Sequence, residues 1–374
     1  MLNFVDYNSE SVISELVAQF EKALGETLQP SDERRMFLNQ LAQVIIALNA
    51  NINNSGNQVL LRYSRGDSLD AIGELFGVER LSAESAKCDL KFTLSAAQEN
   101  AVVIPKGTRA TPDGSIYFAT DNALTIPAGA TEGEVSATAT VAGTANNGYT
   151  IGQIKYIVDN VPFLSSVSNT TTSTGGTDEE DDDSLRERIR LAPESFSTAG
   201  CVDGYIYWAK SAHVNVGDVS VVSPSEGCVD IYILKADGTI PAGEPWLNDV
   251  QLAVSARDKR PLTDFVTVKT PTASNYPISF EYYVSEDDEL NVADIKEKVR
   301  EAVHKYAKWQ SEKIGRDINP DKLRSLVLNA GASRVILTSP NFTPLDNTEV
   351  AKLTSDISSN EAIDTIAVYK GTSE

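Results

Sequence analysis

The stretch from residue 175 to residue 189 reads Gly175-Gly176-Thr177-Asp178-Glu179-Glu180-Asp181-Asp182-Asp183-Ser184-Leu185-Arg186-Glu187-Arg188-Ile189. Acid leads and base follows. Carboxylates are favoured at the positive end of a helix dipole and arginines suit the later turns, so the run predicts a strongly capped helix start. The alternative is a hard-cation site, since calcium takes oxygen ligands. The spacing has neither the alternating acids of a calcium loop nor a glutamate at its twelfth position, and a solvated helix start is the simpler account.

Upstream of this run, residues 87–175 are rich in Thr, Val, Ala and Gly and are punctuated by Pro105-Lys106-Gly107, Pro112-Asp113-Gly114 and Pro127-Ala128-Gly129. These are turn signals between short apolar runs, and they predict a β-rich module. Strands are expected at residues 138–142 and 151–158, a tight turn at Asn146-Asn147-Gly148 and an exit loop over residues 168–177.

Residues 1–86 are helical by pattern. Ile13, Leu16, Val17, Phe20 and Leu24 recur at helix spacing, and after Pro30 so do Phe37, Leu41, Val44, Ile45 and Leu48. The polar run Asn49-Ala50-Asn51-Ile52-Asn53-Asn54-Ser55-Gly56 is expected to weaken the second helix, and a short helix carrying Leu69, Ile72 and Phe76 ends at Gly77. Three thin helices offer little core of their own. Ile13, Leu16, Phe20, Phe37, Leu41, Val44 and Leu48 are therefore candidate interface residues, with packing inside the chain as the competing reading.

Downstream, residues 176–270 predict a helix over 202–212, strands over 216–222 and 229–234, a helix over 246–256 with Leu247, Val250 and Val254 inward, and a strand over 265–269. Residues 271–374 repeat the style. Ile278, Phe280, Tyr282 and Val284 alternate on a strand, and Val292, Ile295, Val299, Ala302 and Tyr306 mark a long helix. A further helix carries Leu323, Leu326 and Val327 and ends near Gly331, and strands are expected at 335–337 and 366–368. The fold class is α+β and multidomain: N-terminal helices over 1–86, a β-rich module over 87–175, and two α+β units over 176–270 and 271–374. Within the first of these units, Tyr205-Ile206-Tyr207-Trp208 offers Tyr205 and Trp208 as interface anchors or as a core face. At helical spacing Tyr205 and Trp208 share a side and Tyr207 turns away, so at least one member of the cluster is expected to be exposed or covered by a neighbour.

Apolar residues make up 41% of the chain and charged residues 23%, a normal globular balance, and the length of 374 residues calls for several domains. No stretch approaches the roughly 18 uninterrupted apolar residues of a membrane span. Acidic residues outnumber basic ones 53 to 32, and the net charge of −21 repels phosphate backbones and anionic membranes. Neither nucleic acid nor a membrane is expected as a partner. The first residues carry no secretory pattern, which points to synthesis in the cytoplasm. Cys88, Cys201 and Cys228 are widely spaced and read as small buried hydrophobes.

The motifs of catalysis are missing. His213 and His304 lie far apart with no H-E-x-x-H around either, and no G-x-S-x-G elbow, phosphate-binding loop or dinucleotide fingerprint occurs. Paired carboxylates can be imagined anywhere in so acidic a chain, which makes them worthless as evidence of glycoside cleavage. No catalytic residue, cofactor site or metal ligand is assigned, and an enzyme is not expected.

Several landmarks resemble the baseplate J-like family of contractile-tail proteins. Arg65-Gly66-Asp67-Ser68-Leu69-Asp70-Ala71-Ile72-Gly73 with Phe76-Gly77-Val78-Glu79-Arg80 is similar to the family's helical segment, and Ile104-Pro105-Lys106-Gly107-Thr108 with Tyr117-Phe118-Ala119-Thr120 to its β module. The most specific match is residues 175–183 leading into Leu185-Arg186, Arg188-Ile189 and Gly200, and Gly315-Arg316-Asp317-Ile318, Leu323 and Gly331-Ala332 fit more loosely. The chain departs from the family's pattern at Asp181 and Asp183, where a more mixed run is usual, and at Ala332, where Val is common. The resemblance covers nearly the whole chain. It implies a structural baseplate wedge that assembles with itself, as a dimer within a wedge, and with a smaller wedge protein and the sheath-initiator and hub proteins. N-terminal helices would enter a shared bundle, C-terminal domains would link neighbouring wedges, and the ring would relay the contraction trigger. The implied location is the bacterial host cytoplasm during assembly, then the baseplate of a virion or phage-tail-like particle. The competing readings are a tail-fibre or adhesin-type recognition protein, suggested by the Thr-rich module, and a tail-associated cell-wall hydrolase. The first would carry a repeated β motif, and no repeat of about 20 to 50 residues occurs.

Overall fold

The computed structural model describes residues 1–196 and 200–372. By its contacts the chain forms two units, Met1–Arg80 with Asp181–Arg190, and Leu81–Glu180 with Leu191–Glu374.

The first unit is helical: α1 (Ser9–Leu24), α2 (Glu33–Gln58), α3 (Asp67–Glu74) and α4 (Asp182–Leu191). Asn8 starts α1 by accepting from the amides of Glu10 and Ser11, and Gly25 ends it in the left-handed conformation at φ 76°. The hairpin of α1 and α2 closes on a small core of Val17, Leu28 and Leu38, with Ile13 and Leu16 packed against it. Against expectation, α2 runs unbroken through the polar residues 49–56 to Gln58. Asn49 and Asn53 within this run, and Asn57 just after it, bond to the main chain of residues 2–6, which draws these side chains off the helix's own peptide groups apart from one bond from Asn57 Nδ2 to Asn53 O. Gly73 allows the close approach of α3 to α4. A Cβ there would stand 2.6 Å from the Val78 carbonyl and 3.2 Å from the Ile189 side chain. The helix that grows from the acidic run thus belongs by its contacts with residues 1–80, not with the α+β unit that follows it in sequence.

The second unit begins with β1 (Lys87–Leu94), β2 (Val102–Ile104), β3 (Arg109–Thr111), β4 (Phe118–Thr120), β5 (Leu124–Ile126), β6 (Glu132–Ala139), β7 (Tyr156–Ile157) and β8 (Leu164–Asn169). Six of them form an antiparallel sheet in the order β7-β3-β4-β6-β1-β8, nearly closed into a barrel, and β2 pairs with β5. Cys88, Leu90, Phe92 and Leu94 alternate inward along β1 and meet Phe118, Ile126 and Ile154. Three local expectations fail here. The strand expected at 138–142 ends at Ala139, and the one expected at 151–158 shrinks to Tyr156–Ile157. The buried Asn169 side chain explains the second case: it accepts from Ile154 N and donates to the carbonyls of Tyr149, Thr150 and Thr171, holding the chain out of strand geometry. Residues 168–177 are no loose exit loop, because Lys87 bridges Thr174 and Glu84 bridges Thr177.

Next come α5 (Val202–Ala212), β9 (Val216–Ser225), β10 (Cys228–Lys235), α6 (Trp246–Ser255) and β11 (Phe265–Lys269). The sheet order is β11-β10-β9, with α5 and α6 packed over Ile231 and Ile233. The last part holds β12 (Thr272–Tyr276), β13 (Ser279–Val284), α7 (Val292–Ser311), α8 (Pro320–Asn329), β14 (Arg334–Ser339), β15 (Glu349–Leu353), α9 (Asn360–Ile366) and β16 (Ala367–Thr372). Its sheet, β14-β13-β16, packs on α7 and α8 through Phe280, Tyr282, Val299, Val303, Tyr306 and Leu323. The β12 and β15 pair, parallel, was not legible in the sequence: Glu349-Val350-Ala351-Lys352-Leu353 has no clean alternation of apolar and polar residues. Leu234, Ile314 and Val350 form a separate buried cluster joining β10 to β15. Among the described residues no helix is long and apolar enough to cross a membrane.

Candidate assembly interface

α2 turns two apolar faces in different directions. Leu38 and Ala42 are buried, while Phe37, Leu41, Val44 and Leu48 are 68%, 39%, 56% and 55% exposed. Their steps of four, three and four residues make a straight seam of the kind two helices use to interlock. Ile13 and Leu16 are half-buried against the hairpin core, and Phe20 is at the margin of exposure. The seven helical candidates therefore divide: two serve the hairpin, and the α2 seam with Phe20 faces outward. Fully burying one such side chain is worth about 1.5–3 kcal/mol, so even partial cover of four is a substantial reserve for association.

Beside this seam, residues 2–6 lie along α2 in side-chain harness. Asn57 Oδ1 accepts from Leu2 N (2.8 Å) and its Nδ2 donates to Leu2 O (2.7 Å). Asn53 Oδ1 accepts from Phe4 N (2.7 Å) and Val5 N (3.0 Å), and its Nδ2 donates to Val5 O (2.7 Å). Asn49 Nδ2 donates to Asp6 O (2.7 Å). At about 1 kcal/mol net for each of these six bonds, the gain is comparable with the cost of ordering five residues at about 1–2 kcal/mol each. Gly56 makes room for the Phe4 ring, which a Cβ would meet at 2.6 Å.

Five of the six carboxylates in the acidic run Asp178–Asp183 are committed to partners. Asp178 accepts from the amide (2.9 Å) and hydroxyl (2.7 Å) of Thr144, whose hydroxyl holds it below the usual carboxylate range. Glu180 is buried and accepts from Leu81 N at 3.0 Å. Asp181 caps α4 through the amides of Asp183 (2.8 Å) and Ser184 (3.0 Å). Asp182 accepts from Arg80 (2.8 Å) and Gly66 N (3.3 Å), and Arg80 lowers its pKa. Asp183 pairs with Arg186, which also donates to the carbonyls of Leu61 (2.9 Å) and Ser64 (2.8 Å). Gly66 and Arg80 from the helical landmark and Asp182 from the acidic one thus meet in space. Among the described residues no group of three or more His, Cys, Asp or Glu side chains is placed to hold a metal ion.

Tyr205 is buried, not an exposed anchor. Its hydroxyl donates to Asp264 Oδ2 at 2.6 Å, and burial first, then this bond, raises its pKa. Tyr207, expected to turn away, is buried too, its ring 4.9 Å from that of Trp208. Trp208 is half-buried and capped by Lys259 Nζ, 4.1 Å from the ring centroid. The aromatic cluster packs on the sheet and α6 while Asp264 and Lys259, from the loop after α6, reach Tyr205 and Trp208, a tertiary circumstance that helical spacing does not report. His213 is buried and stacked on Trp246 at 5.1 Å, whereas His304 is exposed on α7. Cys88 is buried, which pushes its thiol up to about 12, and Cys201 and Cys228 are half-buried. The polar residues that sequence reading missed are Asn49, Asn53 and Asn57, whose four-residue spacing was the available signal.

Three family models match along the chain: the Baseplate J-like protein barrel domain at residues 89–176, the Baseplate J-like central domain at 197–270 and the Baseplate J-like protein C-terminal domain at 277–357. Over 158 residues, 41% of the chain, it is 34% identical to Baseplate protein J of Escherichia phage P2, and the match spans 50% of that relative's length. A solved structure of the anti-feeding prophage baseplate aligns over 92% of this chain and 90% of its own, at 13% identity and a TM-score of 0.48.

Proposed function

We propose, from the premise that this chain belongs to the Baseplate J-like family, that it is a structural component of the baseplate of a contractile phage tail or phage-tail-like particle, and not an enzyme. The observation that carries an assembly role is the outward seam of Phe37, Leu41, Val44 and Leu48 on α2. A folded helix that keeps its interlocking residues in solvent is built for a partner helix. The finer reading is a wedge: the seam pairs with a second copy or with a smaller wedge protein, sheath-initiator and hub proteins complete the ring, and the ring relays the contraction trigger by changing how its subunits pack. In this reading the protein resides in the bacterial cytoplasm until assembly and in the particle thereafter.

The test is electron microscopy of particles carrying a label at the C-terminus of this protein. A ring of label at the sheath end is expected. Label along the fibres would move the adhesin reading to the front, and absence of label from particles, together with release of fragments from cell-wall substrate, would favour the hydrolase.

A further inference from the structure

Residues 49–58 are mostly poor helix formers, five asparagines with a serine and a glycine among them, yet α2 is helical through all of them. Free asparagine side chains bond to their own backbone in non-helical conformations, so this half of the helix has a ready alternative. What sets it apart from residues 37–48 is its lateral partner. Asn49, Asn53 and Asn57, one turn apart, hold residues 2–6 by bonds that all end on main-chain atoms of that segment. The side chains of Leu2, Phe4 and Tyr7 stay about half exposed. The face therefore reads a backbone and not a sequence, with one steric demand: the ring of Phe4 needs the missing Cβ of Gly56.

We propose that the Asn49, Asn53 and Asn57 face of α2 is a docking rail for a main-chain segment, that residues 2–6 are its occupant, and that occupancy switches residues 49–58 into helix. Asn53 and Asn57 are buried under the strap; Asn53 Nδ2 is taken by Val5 O, and Asn57 Nδ2 is shared between Leu2 O and the Asn53 carbonyl one turn back (2.7 Å). An empty rail frees those amides to bond locally and unwind the last turns. The device sets the length of the docking seam, because the exposed Ile52 extends it only while residues 49–58 are helical. It stands whether or not the protein serves a baseplate.

Amide hydrogen exchange of the full chain tests this. Deleting residues 2–6 is expected to speed exchange at residues 49–58 at least tenfold and leave residues 37–48 within about twofold. Unchanged protection at 49–58, or equal loss along all of α2, overturns the switch. The double substitution Asn53→Ala, Asn57→Ala removes the rail but adds the strongest helix former. The amides of Leu2, Phe4 and Val5 are then expected to lose at least tenfold in protection while 49–58 stay helical. Retained protection at those three amides overturns the rail.

Discussion

Asp182 accepts a 2.8 Å hydrogen bond from Arg80 across 102 residues of sequence, and the same guanidinium holds Asp70 at 2.7 Å. Arg80 is mostly shielded while both carboxylates are partly open to solvent, so the pair is stronger than a surface bridge and weaker than a buried one. Asp182→Asn is expected to destabilise the helical unit by about 1 kcal/mol at pH 7. The sign with pH follows from Arg80, which lowers the Asp182 pKa from its ordinary 3.8. The contribution is complete above that value and disappears as pH falls through the lower folded value. Denaturant unfolding of both proteins should show the gap closing in acid; a gap independent of pH would mean the charge is not what matters.

The seam on α2 predicts a separation of stability from assembly. Leu41→Glu with Leu48→Glu changes two exposed positions, so the thermal midpoint should move by no more than the equivalent of about 0.5 kcal/mol. Incorporation into particles, measured by co-purification with the tail, should drop at least tenfold. A large fall in the midpoint would show that the seam packs within the chain.

Asn169 is fully buried and serves four main-chain groups, those of Ile154, Tyr149, Thr150 and Thr171. Asn169→Ala removes the partner of all four at once, and a loss of about 3 kcal/mol or more in unfolding free energy is expected from denaturant titration. A loss under about 1 kcal/mol would mean that water reaches these groups.

Asp218 on β9 accepts from Ile314 N at 2.8 Å, and burial raises its pKa above 3.8. Folding therefore disfavours its ionised form: its contribution is full below the unfolded pKa and is lost as pH rises through the folded one. Asp218→Asn keeps an acceptor for Ile314 N without the charge. It should match the natural protein below pH 3.8 and exceed it in thermal midpoint at pH 7. An advantage that does not shrink in acid would contradict the burial account.

Much of the architecture was legible because its signals are local. The helix expected at 202–212 and the strand at 265–269 match α5 and β11 residue for residue, since periodicity within the element is itself the condition for burying one face. The candidate interface was half legible. Phe37, Leu41, Val44 and Leu48 stood out by spacing, but the same spacing would serve an inward face, and Tyr205 went inward.

The sequence by itself determined the α+β class, the order of the pieces, the capped helix after the acidic run and the likeness to baseplate J-like proteins, because capping, alternation and motif spacing act within a few residues. Only the tertiary structure decided that α4 joins the N-terminal unit, that Arg80 chooses Asp182, and that an asparagine-rich segment stays helical by holding residues 2–6. Each of these depends on groups some 50 to 120 residues apart meeting within hydrogen-bond distance, and no local preference encodes which distant partner will satisfy a polar group.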